Sequence, residues 1–176
     1  MNIFYLHEEP AVAAAWHCDK HCVKMILETA QILSTAHHVL DGEDIQIEGL
    51  YKSTHVNHPS TVWARSGVEN YKWLHRLLDE LCYQYTKRYK KVHKVELSGL
   101  LANLSTPPQN ISNERFSEPP QCMPDEYKVV SPTQSKIVSQ SQTKVVSPTQ
   151  KAYINYYIGE KMGFARWNYT TPPPWA

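Results

Sequence analysis

The sequence predicts an all-α fold, and three observations lead to that prediction. Apolar side chains recur every three or four residues over three long stretches of the chain, which is the spacing of one face of an α-helix. Glycine, proline and clusters of acidic residues separate these stretches at points where helices would end. The chain has 176 residues, enough to bury one substantial core. We therefore expect one mostly helical domain over residues 1–176, with long irregular loops.

The first half of the chain predicts two long helices. Residues 2–6 would form a short strand or an extended arm before a helix over residues 10–40, which Gly42 and its acidic neighbours end. A second helix is expected over residues 60–90, bent near Gly67.

The second half predicts shorter elements and two unusual segments. One short helix is expected over Leu97–Leu104. Prolines without any hydrophobic period predict an irregular loop over residues 105–127. An eight-residue motif then repeats over residues 128–151 as KVVSPTQS, KIVSQSQT and KVVSPTQK. We interpret these octads as a solvated excursion within the domain, with a small paired β element as the alternative. A Ser-x-x-Gln capping box at Ser147 predicts the entrance of a last helix over residues 151–167.

Composition limits the cellular setting more than the activity. The formal net charge is +1, which argues neither for nor against a nucleic-acid partner. No apolar run approaches the roughly 20 residues that span a bilayer. Glu8 and Glu9 interrupt the short apolar start, so no signal peptide is expected. Four cysteines without secretory context favour reduced thiols and a cytoplasmic protein.

A stripe of polar side chains on the first long helix is the strongest sign of function. Its members follow one another at steps of 4, 3, 4, 3 and 4 residues: His17, His21, Lys24, Glu28, Gln31 and Thr35. They fall within roughly 80° on a helical wheel whose remainder is mostly apolar. A surface helix shows the reverse pattern. The stripe therefore predicts a helix that lines a pocket inside the domain.

Two kinds of chemistry fit this stripe. Lys24 and Glu28 have the spacing of an ordinary ion pair, but partial burial would make a carboxylate or an amine reactive, and His21 could carry protons. An internal polar network without catalysis explains the same residues. His17 and His21 also have the spacing of two zinc ligands, yet no compact second ligand pair follows. We predict no metal and no cofactor, and keep a metal-dependent enzyme as an alternative.

A second cluster lies at the start of the second long helix. Asn57 and His58 would either cap that helix or face a ligand. Arg65 near Trp63 would hold a phosphate or stack on a base, as basic and aromatic residues do in nucleic-acid sites.

Three sequence patterns in this order resemble one known family. They are Lys24-x-x-x-Glu28-x-x-Gln31-Ile32-Leu33, Asn57-His58-Pro59-x-x-x-Trp63 before an aromatic helix with a basic end, and Asn155-Tyr156-Tyr157-Ile158-Gly159-Glu160-Lys161. Together they resemble the pyrimidine-dimer DNA glycosylases of the phage endonuclease V type and their broader bacterial relatives. The proline-rich loop and the octads have no counterpart in this resemblance.

The resemblance implies a helical, endonuclease V-like architecture that grips kinked double-stranded DNA in a bacterial or phage-infected cell. It implies DNA repair by hydrolase and lyase chemistry, in which an amine attacks the sugar C1′, displaces a damaged or modified pyrimidine and permits β-elimination of the strand. Glu28 matches the family's catalytic glutamate, and His21 matches a histidine near the DNA. The segment from Tyr156 through Tyr157 to Lys161 matches the family's lesion-side segment.

Residue 2 departs from the family pattern. In the phage enzymes the amine is the chain's own N-terminus, exposed when a small second residue allows removal of Met1. Asn2 predicts that Met1 stays in place. The nucleophile would then be the Met1 amine, Lys24, or a water molecule oriented by Glu28.

We therefore expect an enzyme, a DNA-base glycosylase with or without AP lyase activity. Its predicted catalytic residues are Met1, His21, Lys24 and Glu28. The residues predicted to contact DNA are His17, Asn57, His58, Trp63, Arg65, Tyr156, Tyr157 and Lys161. The alternative is a non-catalytic phage protein that binds nucleic acid, a nucleotide or a host factor. The sequence leaves the oligomeric state open.

Overall fold

All regular secondary structure that the structure describes is helical. The computed structural model describes residues 1–130 and 146–176, so the middle of the octad repeat, for which an excursion was predicted, lies outside the described residues. Seven α-helices follow in chain order within these ranges: α1 (Pro10–Trp16), α2 (Asp19–Leu40), α3 (Pro59–Arg65), α4 (Val68–Tyr89), α5 (Lys94–Leu97), α6 (Leu100–Asn103) and α7 (Pro148–Tyr156). The all-α prediction is confirmed.

Helices α2 and α4 form the centre of the fold and run antiparallel. The start of α2 meets the end of α4, where the Arg88 guanidinium reaches Asp19, and the end of α2 meets the start of α4, where His37 contacts Tyr71. Their apolar faces bury a common core with α1, α3 and α7. No helix in the described part of the chain is long and apolar enough to cross a membrane.

The first long helix is interrupted, so the prediction of one helix over residues 10–40 is wrong. His17 and Cys18 adopt extended backbone between α1 and α2. Two backbone groups that lack a helical partner at the break hydrogen-bond to residues far along the chain. The His17 carbonyl oxygen accepts from the Arg88 guanidinium at 2.8 Å, and the Cys18 amide donates to the Tyr157 hydroxyl at 3.0 Å. Because these hydrogen bonds replace the helical ones, the break costs little.

The second and the short predicted helices are also divided. Gly67 separates α3 from α4, at the place where a bend was predicted. The loop at Glu114 packs closely there: a Cβ on residue 67 would lie 2.8 Å from the Cβ of Glu114, so the position requires glycine. Of the helix predicted over Leu97–Leu104, only Leu100–Asn103 forms a helix, α6. Gly99 has a φ of +79°, and this left-handed turn separates α6 from α5, which ends at Leu97.

The N-terminal arm and the proline-rich loop are irregular and packed. Residues 2–6 form no strand, and Ile3 through Leu6 are buried. Within the segment 105–127, for which an irregular loop was predicted, no helix or strand occurs between Thr106 and Pro124, and one 3-10 turn follows at Asp125–Tyr127. The Asp41 carboxylate anchors the beginning of this loop by accepting two of its backbone amides. The loop therefore runs from the end of α2 towards the N-terminus as a fixed part of the structure.

The last helix begins where the capping box predicted and ends earlier than expected. The Ser147 hydroxyl accepts the amide of Gln150 at 3.1 Å, and Pro148 is the first helical residue. A π-helical turn over Tyr157–Lys161 follows α7, so regular structure stops before Trp167. The Gln150 amide group does not return to the cap. It donates to the Leu6 carbonyl oxygen at 2.9 Å and fastens α7 to the N-terminal arm.

Candidate active site

The N-terminal arm places the first two residues of the chain on Glu28. The Met1 amine lies 3.9 Å from Glu28 Oε2, and the Asn2 amide donates to the same oxygen at 3.3 Å. Lys24 Nζ lies 3.2 Å from Glu28 Oε1, one helical turn away. One carboxylate thus stands between two amines, with its side chain 15 % exposed.

Asn2 holds the terminus in this position. Its Nδ2 donates to the Cys122 carbonyl oxygen at 2.9 Å. Its Oδ1 accepts the Ile3 amide at 2.8 Å and lies 3.0 Å from the Tyr153 hydroxyl, which also contacts the Pro120 carbonyl oxygen at 2.7 Å. Tyr153 lies on α7, and Cys122 lies in the proline-rich loop. Both hydrogen-bonding functions of the Asn2 side chain are therefore used, which gives this residue a structural reason to be asparagine rather than a small residue.

A cleft of about 320 Å³ opens beside the Glu28 carboxylate. It brings together the four predicted catalytic residues and two residues predicted to contact DNA: Met1, His21, Lys24, Glu28, Tyr156 and Lys161. Three of these come from the polar stripe on α2, which lines a pocket as the sequence predicted. The others come from the N-terminus and from the segment around the π turn.

His21 is held on one wall of the cleft by aromatic neighbours. The Phe4 ring stacks on its imidazole at 4.5 Å between centroids, and the Tyr157 hydroxyl lies 2.7 Å from its Nδ1. Burial lowers the pKa of His21 to about 3, and the nearby charges of His17, Lys161, Lys24 and Lys20 act in the same direction. His21 is therefore a neutral imidazole at neutral pH.

His17 lies apart from this group, although the sequence pattern placed it on the same stripe. It sits at the break between α1 and α2, is 1 % exposed, and its Nδ1 donates to the Ala13 carbonyl oxygen at 2.7 Å. Burial lowers its pKa to about 4. The stripe extends over one helix only from His21 onward, so the spacing that suggested a shared zinc ion is lost.

The three predicted residues at the end of α7 and in the π turn take different positions. Tyr156 lines the cleft, and the Lys161 ammonium lies over its ring at 4.2 Å while bonding its hydroxyl at 2.9 Å. Tyr157 is fully buried, and its hydroxyl bonds to His21 and Cys18. Lys161 is thus a cation on the cleft wall, whereas Tyr157 supports the wall from inside.

The four residues of the second predicted cluster divide into one near the cleft, one exposed in a turn and two that support the fold. His58 caps α3 by accepting the amide of Ser60, and it lines an adjoining cleft of about 490 Å³ that shares Cys122 and Tyr156 with the first. Burial lowers the pKa of His58, as do the charges of the terminal amine and His55, whereas Glu28 opposes them. Asn57 is exposed in the preceding turn.

Trp63 and Arg65 make contacts inside the protein. The Trp63 indole is 7 % exposed and donates to the Ser117 carbonyl oxygen at 2.9 Å. The Arg65 guanidinium donates to the Val56 carbonyl oxygen at 2.7 Å and holds the turn before His58. Neither side chain faces the cleft of Glu28.

Four further residues line the cleft without having been singled out from the sequence for a role in the site: Asn2, Phe4, Met25 and Cys122. Of these four, only Cys122 lay in a segment that the sequence marks as a possible part of the site, because a long irregular segment such as the proline-rich loop is often functional in a compact domain.

Within the described ranges, no group of three or more His, Cys, Asp or Glu side chains is arranged to hold a metal ion. Comparisons of the chain with protein-family models, curated proteins and solved structures found no match.

Proposed function

We propose that this protein is a DNA-base glycosylase that removes damaged or modified pyrimidines from duplex DNA and then cleaves the strand through an imine intermediate. The observation that carries the proposal is the Met1 amine 3.9 Å from the Glu28 carboxylate at an open cleft. The ordered motifs that resemble the pyrimidine-dimer glycosylases support it, and an endonuclease V-like architecture is part of the same proposal.

Met1 suits the role of nucleophile better than Lys24. The Met1 side chain is 3 % exposed, and the bonds of Asn2 fix its backbone. The Lys24 side chain is 64 % exposed and ends a flexible chain of four carbons. A nucleophile held in one position loses less entropy when it reacts. Lys24 instead supplies positive charge at the mouth of the cleft, where a phosphate group would pass.

The proposed step is a substitution at the sugar. The Met1 ammonium first loses one proton to solvent, which frees the lone pair of its nitrogen. The nitrogen then bonds to C1′ while the bond between C1′ and the base breaks, and the base takes a proton from solvent as it leaves. The amine gives up one proton as its new bond forms, and Glu28 is the carboxylate placed to accept it. Ring opening, in which O4′ takes a proton, leaves a C1′=N iminium. Loss of a C2′ proton then expels the 3′ phosphate.

The surroundings of the cleft favour a nucleic-acid strand. Lys24 and Lys161 line the cleft, and Lys20 is exposed one turn before Lys24. The Tyr156 ring lines both clefts, and the His58 ring lines the adjoining one. Cations that meet phosphates beside rings that meet bases are the usual means of binding an extruded nucleotide. Extrusion costs a few kcal/mol, which is least for a damaged base.

The test is borohydride trapping on a panel of duplexes that carry thymine dimers or modified pyrimidines. We expect a covalent adduct with one of these duplexes and none with undamaged DNA. Intact-mass measurement first establishes that Met1 carries the free amine. Acetylation of that amine should abolish the adduct, whereas Lys24→Ala should preserve it. No adduct and no abasic product across the panel would refute the catalytic proposal and leave a binding function.

Glu28→Gln tests the carboxylate. We expect adduct formation to slow by about 10²–10⁴-fold, the usual contribution of a positioned acid or base. Glu69→Gln is the matched control, because Glu69 forms an exposed pair with Lys72 on α4 and does not line the cleft. An unchanged rate in Glu28→Gln would contradict the assignment.

A further inference from the structure

The Tyr157 hydroxyl stands between a backbone amide and a side chain of the cleft. The Cys18 amide donates to this hydroxyl at 3.0 Å, and His21 Nδ1 lies 2.7 Å from it on another side. A phenol carries a single proton. Because an amide N–H can only donate, the tyrosine oxygen accepts from Cys18. The Cys18 thiol, which also neighbours this hydroxyl, is only a weak acceptor, so the phenol proton points to His21 at 2.7 Å. Nδ1 of His21 is therefore the acceptor in this pair.

This hydrogen bond determines where His21 carries its proton. A neutral imidazole whose Nδ1 accepts a hydrogen bond has its proton on Nε2. No described residue forms a hydrogen bond with Nε2, although the His21 ring lines the cleft. The ring has little freedom to turn, because Phe4 stacks on it at 4.5 Å and Phe164 contacts its edge at 5.4 Å. His21 therefore offers one N–H donor towards the cleft.

We propose that Tyr157 is a positioning residue that fixes His21 as the Nε2–H tautomer, and that this N–H binds an oxygen of the sugar-phosphate backbone beside the Met1 amine. The ligand half of this inference rests on the proposed DNA-base glycosylase function. The positioning half rests only on the contacts of Tyr157. A neutral donor binds such an oxygen without adding another positive charge beside the amine, Lys24 and Lys161.

A second tyrosine–histidine pair in the core provides a matched control. Tyr71 is fully buried, and its hydroxyl donates to the Leu104 carbonyl oxygen at 2.9 Å and contacts His37 Nε2 at 2.9 Å. This pair joins α2 to α4 and does not line the cleft. Tyr71→Phe removes a comparable buried hydroxyl without touching His21.

The positioning half is tested on the free protein by nitrogen-15 NMR of the histidine side chains at pH 7. In the unaltered chain we expect His21 Nδ1 without a proton and Nε2 with one. In Tyr157→Phe we expect a mixture of the two neutral tautomers, and in Tyr71→Phe an unchanged His21 spectrum. A proton on Nδ1 in the unaltered chain would overturn the inference, whether or not the protein acts on DNA.

The ligand half is tested by affinity for a duplex carrying a tetrahydrofuran abasic analogue. His21→Gln places an amide N–H near the position of Nε2, so its Kd should stay within about threefold of the unaltered chain. His21→Asn places its amide nearer the position of Nδ1, and its Kd should rise about tenfold, the usual effect of one lost hydrogen bond.

Tyr157→Phe should also weaken binding, whereas Tyr71→Phe should not. Equal affinities for His21→Gln and His21→Asn would overturn the ligand half. Failure of the unaltered chain to prefer the analogue over undamaged duplex would instead refute the proposed function and the ligand half together, and the tautomer measurement would still decide the positioning half.

Discussion

Replacing Arg88 by methionine tests why the first long helix is divided. The Arg88 side chain is completely buried on α4. Its guanidinium donates to the carbonyl oxygens of Ala15 and His17 at 2.9 and 2.8 Å and to the Asp19 carboxylate at 3.3 Å. These acceptors lie on both sides of the break between α1 and α2. Arg88→Met keeps an unbranched chain in the site but removes every one of these bonds.

The expected loss of stability follows from the acceptors that lose their partner when Arg88 is replaced, namely one carboxylate and two carbonyl oxygens. Removing one partner of a buried ion pair costs about 3–5 kcal/mol, because the other charge stays buried without compensation. The Asp19 side chain is only 11 % exposed and retains one bond, from the Asn168 amide. Two carbonyl oxygens lose their partner as well, which places the expected loss at the upper part of that range. Adding Asp19→Asn to Arg88→Met should recover part of the loss by removing the unpaired charge.

Urea unfolding measures this loss as a decrease in the free energy of unfolding. Lys72→Met is the control, because the pair of Lys72 with Glu69 is exposed and its removal should change stability by no more than about 1 kcal/mol. A decrease in the free energy of unfolding of less than about 1 kcal/mol for Arg88→Met would refute the view that Arg88 stabilises the break between α1 and α2. A double variant less stable than Arg88→Met alone would refute the charge argument.

Two further predictions concern acid and packing. Burial lowers the pKa of His17 to about 4 and that of His21 to about 3, below the roughly 6.5 of an unfolded chain, so the unfolded state binds more protons in acid. Their contribution to stability is complete above about pH 6.5 and declines as the pH falls towards 4; urea unfolding between pH 7 and pH 5 should show this decline, and His17→Gln should reduce its slope. Gly159→Ala should cost about 1 kcal/mol, the lower end for overpacking, because the new Cβ would overlap the partly exposed Tyr127 ring and force it to turn aside. Gly163→Ala, which meets no atom within 4 Å, should be tolerated, and equal thermal shifts for the two would contradict the packing argument.

The part of the site that depends on local spacing could be predicted from the sequence. His21, Lys24 and Glu28 lie one turn apart on α2, so helical periodicity alone placed them on one face. The division of the helix before Asp19 could not be foreseen, because the groups that stabilise it, above all Arg88, come from far along the chain.

The remaining differences have the same origin. Trp63 beside a basic residue has the composition of a nucleic-acid site, but its ring is buried and the Ser117 carbonyl oxygen from the proline-rich loop accepts its indole N–H. Asn2 looked like an obstacle to an N-terminal nucleophile, whereas its contact with Cys122, 120 residues away, makes it the anchor of that terminus. Periodicity carries information about neighbours on one helix and none about such pairings.

The contacts that close the cleft also determine when during folding it can exist. The N-terminal arm is fastened to α7 by Gln150 on Leu6 and by Tyr153 on Asn2, and Tyr157 reaches back to His21. These pairs are 144, 151 and 136 residues apart, so each closes almost the whole chain into a loop. Pairs so distant form late, after the local helices. During synthesis, α2 and α4 are complete long before α7 leaves the ribosome, and the wall of the cleft that α7 and the π turn supply cannot form until then.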